Sequence, residues 1–328
     1  MACLNIDTPG IELILTVEEA PMAAAVATPK PALDKPLMHY GRRVLDRTAP
    51  GSTETEYRIL GISPLTPHIG AEVSGVDLSQ PIGDDLAEEL RQALLEWKVI
   101  FFRDQHRFAA EHHVALAAVW GEPEVNPFFP KGDTVGVSRL AKDAMAVGNE
   151  NIWHSDHSFM AEPALGSVLR AVEVPSAGGD TMWADMAVAY DNLSASMKDR
   201  IDGLTAVHDW VPSWGAVMTD EQIARFRETL PPVEHPVVVR HPQSGRKVLY
   251  VNEPFTTRIV GLSDTESREL LDELVLQARI PEFQVRFRWQ PDSVAIWDNI
   301  AVQHYAINDY YPQRRVMERI AIAGVPLS

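Results

Sequence analysis

From residue 153 onward the chain is a succession of short β-branched and aromatic runs, broken by Gly, Pro and Asn. LGSVLRAVEV, GDTMWADM, HPVVVRHP, KVLYVN, VRFRW and SVAIWDN each have the length and composition of a strand. HPQSGRKVLYVN reads as a hairpin turning near Gln243 to Gly245. Three helical segments interrupt the series: Val188 to Ile201, Asp220 to Thr229 and Asp264 to Ala278. Many short strands with helices at their edges point to a mainly β fold with flanking helices, a sandwich or jelly roll. Neither an internal repeat nor a glycine-rich phosphate loop accompanies them.

Upstream the pattern differs. DDLAEELRQALLEW places Leu86, Leu90, Ala93, Leu94 and Trp97 on one helical stripe and runs directly into VIFFR, a buried strand by composition. A second helix is expected in FAAEHHVALAAVW, ended by Gly121 and Pro123. Residues 1 to 55 carry the Ala- and Pro-rich stretch AAAVATPKPALDKP, with little period. They are expected to form a mostly disordered arm ahead of one domain spanning 56 to 328, with Met22 and Met38 as later candidate starts.

Bulk properties exclude several functions. A net charge of −17 argues against holding nucleic acid or an anionic membrane by electrostatics. A small anionic substrate would need a local basic pocket instead. The one cysteine, Cys3, permits neither an internal disulfide nor a thiolate metal cluster, and fits a reducing compartment. No run approaches the roughly 18 apolar residues of a membrane span, and Ile11 to Val17 is a poor signal peptide. A cytoplasmic location is expected.

WHSDHSF sets His154 and Asp156 two residues apart. On an extended chain that spacing puts imidazole and carboxylate on one face. A second imidazole would complete the two-His, one-carboxylate set with open positions that suits non-haem Fe(II). His304 is singled out by its surroundings: it follows SVAIWDNIAVQ and precedes YAINDYYPQRRVMER, so Arg315 and Arg319 come shortly after it. Two guanidiniums in a strand-like setting suit capture of carboxylates or similar anions. The plainer alternatives are a hydrogen-bonded His–Asp pair in an ordinary core and two surface salt bridges.

WHSDHSF, GGDTMWADM, FTTRI, AIWDN, QHYAINDY and PQRRVMER together resemble the taurine dioxygenase (TauD/TfdA) family, over roughly residues 57 to 327. The resemblance implies a double-stranded β-helix (jelly roll) core and an Fe(II)- and 2-oxoglutarate-dependent dioxygenase that also uses O2. It implies metal ligation by His154, Asp156 and His304, and a 2-oxoglutarate site at Thr181 and Arg315. Arg319 would hold the anionic end of the prime substrate, with Ser213, Trp214 and Phe255 at its pocket. The implied reaction hydroxylates the carbon next to a sulfonate, of taurine or another alkylsulfonate, releasing sulfite and an aldehyde. Family members often form homo-oligomers, so a dimer or tetramer is expected.

GEPEVNPFFP departs from the taurine-specific pattern. Asn126 and Phe129 stand where those enzymes carry a histidine and a tyrosine near the amine, with Phe128 between. A buried ammonium without partners is costly. Glu150, beside Asn149 and Asn151, is the candidate replacement partner. The apolar residues favour two rival substrate classes for the same chemistry, alkyl sulfates and aryloxyalkanoates. A rival of another kind is a non-catalytic metal-binding β-barrel, which would need no arginine pair.

Overall fold

The computed structural model describes residues 42–124, 136–145 and 151–327. Asn126, Phe128, Phe129, Asn149 and Glu150 lie outside the described residues, as does most of the expected arm. The scaffold is a seven-stranded sheet facing a three-stranded one. The large sheet runs in the order Gly61–Pro64, Ala71–Ser74, Val99–Phe102, Val294–Asp298, Gly166–Glu173, Arg315–Ile322, Ser138–Lys142. The small sheet is Gln284–Phe287, Thr181–Asp185, Val302–Ala306. All pairs are antiparallel except Ala71–Ser74 with Val99–Phe102. Beyond the first three strands of the large sheet, which are consecutive, non-consecutive strands lie side by side in both sheets, as the expected double-stranded β-helix requires.

Strand alternation divides the core. Val99, Phe101, Leu169, Ala295, Trp297 and Met317 face inward and meet Trp183, Val285, Phe287 and Val302 of the small sheet. Phe101 stacks on Phe287 at 4.0 Å and meets Trp183 edge-on at 5.3 Å. On the outer face, Ile100, Phe102, Val168, Ile296 and Ile320 pack on Leu90 and Leu94, from the helix Asp84–Trp97, and on Leu116. Each such side chain, fully buried, contributes about 1.5–3 kcal/mol.

That helix follows its expected bounds: Asp84 and Asp85 complement the positive N-terminus. Lys98 ends it in the left-handed conformation at φ 62°, and the next residue begins a strand. Such backbone costs about 1–2 kcal/mol in a non-glycine residue. Its ammonium is buried but well partnered, donating to the carbonyls of Arg47, His68 at 2.9 Å and Glu96 at 3.0 Å, and lying 3.5 Å from Asp185. Arg47 also pairs with Glu96 at 2.8 Å, and Arg246 donates to the Asp46 carbonyl at 2.8 Å. Residues 46 and 47, from the stretch expected as an arm, are therefore tied into this charged cluster.

One expected helix is corrected. Val188 to Ile201 is two helices, Met186–Asp191 and Ala195–Ile201. Asn192 donates back to the Val188 carbonyl at 2.8 Å, and Ser194 caps the second helix by accepting from the Met197 amide at 3.1 Å. The cap and the break lie within a continuous periodic stretch, so periodicity alone misses them. The hairpin forms as expected, pairing Val238–Arg240 with Lys247–Leu249. Among the described residues no helix is long and apolar enough to cross a membrane.

Candidate active site

His304 lies on the strand Val302–Ala306, and Trp183 of the neighbouring strand is its direct cross-strand partner. Trp183 and His304 share the inward face, where the His304 ring lies 4.9 Å from Trp297. His154 meets His304 through a single antiparallel bridge, the two amides donating to each other's carbonyls at 3.0 and 2.8 Å. The extended conformation expected for HSDHS stops there, because the chain turns from Asp156 onward. The expected convergence survives that difference. Asp156 Oδ1 lies 3.7 Å from Nε2 of both His154 and His304. Ligand atoms of all three residues fall within 4.8 Å of one another, the one such metal-competent group among the described residues.

These distances exceed hydrogen-bond reach, so the three donors crowd together without satisfying one another. Two imidazoles and one carboxylate form the donor set that suits Fe(II) with positions open to other ligands. His154 Nδ1 lies 2.9 Å from the Ile152 carbonyl, a contact that fixes its proton there and turns the Nε2 lone pair toward Asp156. Burial, then the neighbouring His154, push His304 well below the ordinary imidazole range, which leaves it neutral and able to ligate. Its Nδ1 is buried without a hydrogen-bond partner. Burial alone would raise the Asp156 carboxyl, but Arg319 and then the two ligand histidines outweigh it and hold it well below the usual carboxylate range.

Asp156 is held on every side. Its amide donates to Asn299 Oδ1 at 2.7 Å, and Asn299 Nδ2 donates to its carbonyl at 2.8 Å and to that of Ala164 at 2.9 Å. Arg319 contacts Oδ2 at 2.8 Å and donates to Ser167 Oγ at 3.3 Å, and that hydroxyl donates to Oδ2 at 3.3 Å. Oδ1 faces the histidines, while Oδ2 faces the cation. Sequence reasoning missed Asn299 and Ser167. AIWDN holds the one visible signal, an asparagine directly after an apolar strand; Ser167 is an ordinary strand residue by sequence.

Thr181 starts a strand of the small sheet, and Arg315, at the start of the large-sheet strand Arg315–Ile322, reaches the turn that precedes it. Arg315 donates to the Gly179 carbonyl at 3.2 Å, two residues before Thr181, and its guanidinium lies over the Tyr310 ring at 5.9 Å. A Cβ on Gly179, whose φ is 71°, would press on Arg315 Cδ at 3.2 Å, so this turn needs glycine for backbone and space alike. Thr181 is buried, its hydroxyl accepting from Trp289 Nε1 at 2.9 Å. Arg314 points elsewhere and pairs with Glu173 in an exposed contact.

Trp214 and Phe255 join Phe159, three residues after Asp156, in an edge-to-face triangle with centroids 5.0 to 5.5 Å apart. Met160, Trp210, Leu230 and Phe226 extend this apolar cluster. Ser213 is exposed, and its hydroxyl donates to the Pro254 carbonyl. A buried polar set behind the triangle fixes it. Ser158 Oγ accepts from Asn252 Nδ2 at 2.8 Å and contacts His208 Nδ1 at 3.1 Å, and Asn252 Oδ1 accepts from the Phe255 amide at 3.2 Å.

The sequence comparisons agree with this geometry. The family model for taurine catabolism dioxygenases, the TauD, TfdA family, matches residues 61–321. An alkylsulfatase of Acinetobacter baylyi is 37% identical over 273 residues, covering 81% of this chain and 85% of that protein. An alpha-ketoglutarate-dependent sulfate ester dioxygenase of Pseudomonas putida is 37% identical over 287 residues, covering 84% and 92%. The crystal structure of a taurine dioxygenase from Burkholderia xenovorans superposes with a TM-score of 0.71 at 37% identity, covering 82% of this chain and 90% of that one. With two histidines and an aspartate converging inside a jelly roll, and a family match across nearly all of it, the chain belongs to the TauD/TfdA family of Fe(II)- and 2-oxoglutarate-dependent dioxygenases.

Proposed function

We propose that this dioxygenase acts on small anions with an apolar tail, alkyl sulfate esters and longer alkylsulfonates, hydroxylating the carbon next to the charged group. The hydroxylated product collapses to an aldehyde and sulfate or sulfite. The observation that carries this reading is the Phe159, Trp214, Phe255 triangle beside the turn of Asp156, with the Arg319 guanidinium against the same carboxylate. An aromatic wall suits an alkyl chain, and a partly buried guanidinium suits an anionic head. The relatives named for alkyl sulfates and sulfate esters support the same class.

Fe(II), 2-oxoglutarate and O2 supply the oxidising chemistry, the decarboxylation of 2-oxoglutarate to succinate and CO2 being coupled to hydroxylation. The protein supplies position and charge. His154, Asp156 and His304 hold the metal, with Asn299 fixing the aspartate backbone. Arg315 and Thr181 bind the 2-oxoglutarate carboxylate beside the turn at Gly179. Arg319 fixes the substrate's anionic end and so selects the carbon presented for attack, while the aromatic cluster excludes water from the tail.

The test is succinate formation by the Fe(II)-loaded enzyme with 2-oxoglutarate and O2. A medium-chain alkyl sulfate, a longer alkylsulfonate, taurine and an aryloxyacetate are compared side by side. Strong coupling to the apolar-tailed sulfate or sulfonate is expected. Coupling to taurine alone, or to the aryloxyacetate alone, would overturn the substrate class. His154→Ala is expected to abolish turnover.

A further inference from the structure

Immediately after Asp156 the backbone does something unusual. His157 sits at φ 56°, the left-handed region, although it is not a glycine. That conformation costs about 1–3 kcal/mol and persists only where the surroundings enforce it. His157 is 3% exposed, and its Nδ1 lies 2.7 Å from Oε1 of Glu124, itself 10% exposed. Its carbonyl accepts from the Met160 amide at 2.9 Å, which closes the turn.

Glu124 is also fixed from the other side. Its amide donates to the Ala321 carbonyl at 2.8 Å, Pro123 bridges Ile322, and the Ala323 amide donates to the Glu122 carbonyl at 2.8 Å. Glu124 is thus anchored to the strand Arg315–Ile322, and Ala321 is two residues beyond Arg319 on the same face. Two ties join that strand to the turn of Asp156. One is the Arg319–Asp156 pair, and the other is Glu124–His157.

We propose that Glu124 and His157 form a positioning pair that clips the turn of Asp156 to the strand carrying Arg319, and so sets the angle at which the Asp156 carboxylate meets the metal. The inference rests on reading His154, Asp156 and His304 as the metal site. Outer partners of this kind orient a ligand without touching the ion, and their removal costs about 10–100-fold in metal affinity. Pairs that act as one unit lose no more when both members are removed than when one is.

The experiment is titration of the full chain with Co(II) alone, by its visible absorption, with thermal unfolding measured alongside. Glu124→Ala and His157→Ala are each expected to weaken Co(II) binding at least tenfold. The double variant is expected to bind no more weakly than either single one. Glu124→Gln, which keeps an acceptor oxygen, is expected to restore most of the affinity. If Glu124→Ala does not fold, His157→Asn reads the same loss, since asparagine tolerates the backbone but is too short to reach Glu124. Wild-type affinity in the folded variants, with only a lowered melting temperature, would reduce the pair to a structural contact and overturn the proposal. So would losses that multiply in the double variant. His154→Ala separates the two readings: if it binds Co(II) as tightly as wild type, the metal site itself is wrong.

Discussion

His154 and His304 exchange both backbone hydrogen bonds, at 3.0 and 2.8 Å, although almost half the chain separates them. Their rings consequently lie 4.1 Å apart at the edge of the barrel interior. A bridge between main chains fixes two ligands more firmly than side-chain packing can, because neither histidine can shift without breaking the pair. Asp156 is the ligand that depends on side chains for its place.

The separate roles proposed for the two arginines are open to a kinetic test. Arg315→Lys is expected to raise the KM for 2-oxoglutarate, since a lysine cannot reproduce the guanidinium's contact with the Gly179 carbonyl and a carboxylate together. Arg319→Lys keeps a charge beside Asp156 while losing the planar fork. It is expected to raise the KM of the prime substrate about tenfold or more, in line with roughly 1.5–3 kcal/mol for hydrogen bonds to charged groups. Steady-state kinetics with each co-substrate varied in turn checks both. An Arg319 variant impaired for 2-oxoglutarate alone would reverse the assignment.

Asn299 is expected to matter as much as a ligand's partner should. Asn299→Ala orphans the Asp156 amide and carbonyl and the Ala164 carbonyl, all buried. Each orphaned group costs about 1–3 kcal/mol. Thermal unfolding and Co(II) titration should show both lower stability and weaker metal binding. An unchanged metal affinity in a folded variant would leave Asn299 a purely structural residue.

Two buried histidines predict an acid-sensitive fold. Burial pushes His113 down to about 4 and His208 down to about 3, the latter also repelled by His235. Both are neutral when folded and accept protons when unfolded once the pH falls below about 6.5. The unfolded state then binds more protons, so stability falls with falling pH, by about 1.4 kcal/mol per pH unit for each group. The loss runs from about pH 6.5 down to about 4 for His113 and about 3 for His208. Urea denaturation between pH 7 and 4.5 measures it. His113→Gln, whose amide still reaches the Val168 carbonyl that Nε2 contacts at 2.9 Å, is expected to flatten the slope. A pH-independent midpoint would contradict both assignments.

The sequence by itself determined the class of fold, and through its resemblance to the TauD/TfdA family it singled out His154, Asp156 and His304 as candidate metal ligands. Short β-branched and aromatic runs such as SVAIWDN and GDTMWADM, bounded by turn residues, read as buried strands, whereas HSD and a distant His leave an ordinary core pair open until the flanking motifs are read with them. The helix Asp84–Trp97 was equally legible, since its stripe and its acidic first turn are local. The division of Val188 to Ile201 into two helices was hidden, because Asn192 and Ser194 act through side-chain bonds to the backbone.

Only the tertiary structure decided how Asp156 is held. Asn299, Ser167, Arg319 and, through His157, Glu124 reach it from segments far apart in the chain. It also placed Ser213 at the surface, bonded to the Pro254 carbonyl, and drew Phe159 into the aromatic triangle. Local periodicity reports which face of a strand is apolar. It carries no information about which distant strand supplies the opposing group, because sheet register is fixed by packing across the barrel and not by neighbours in sequence.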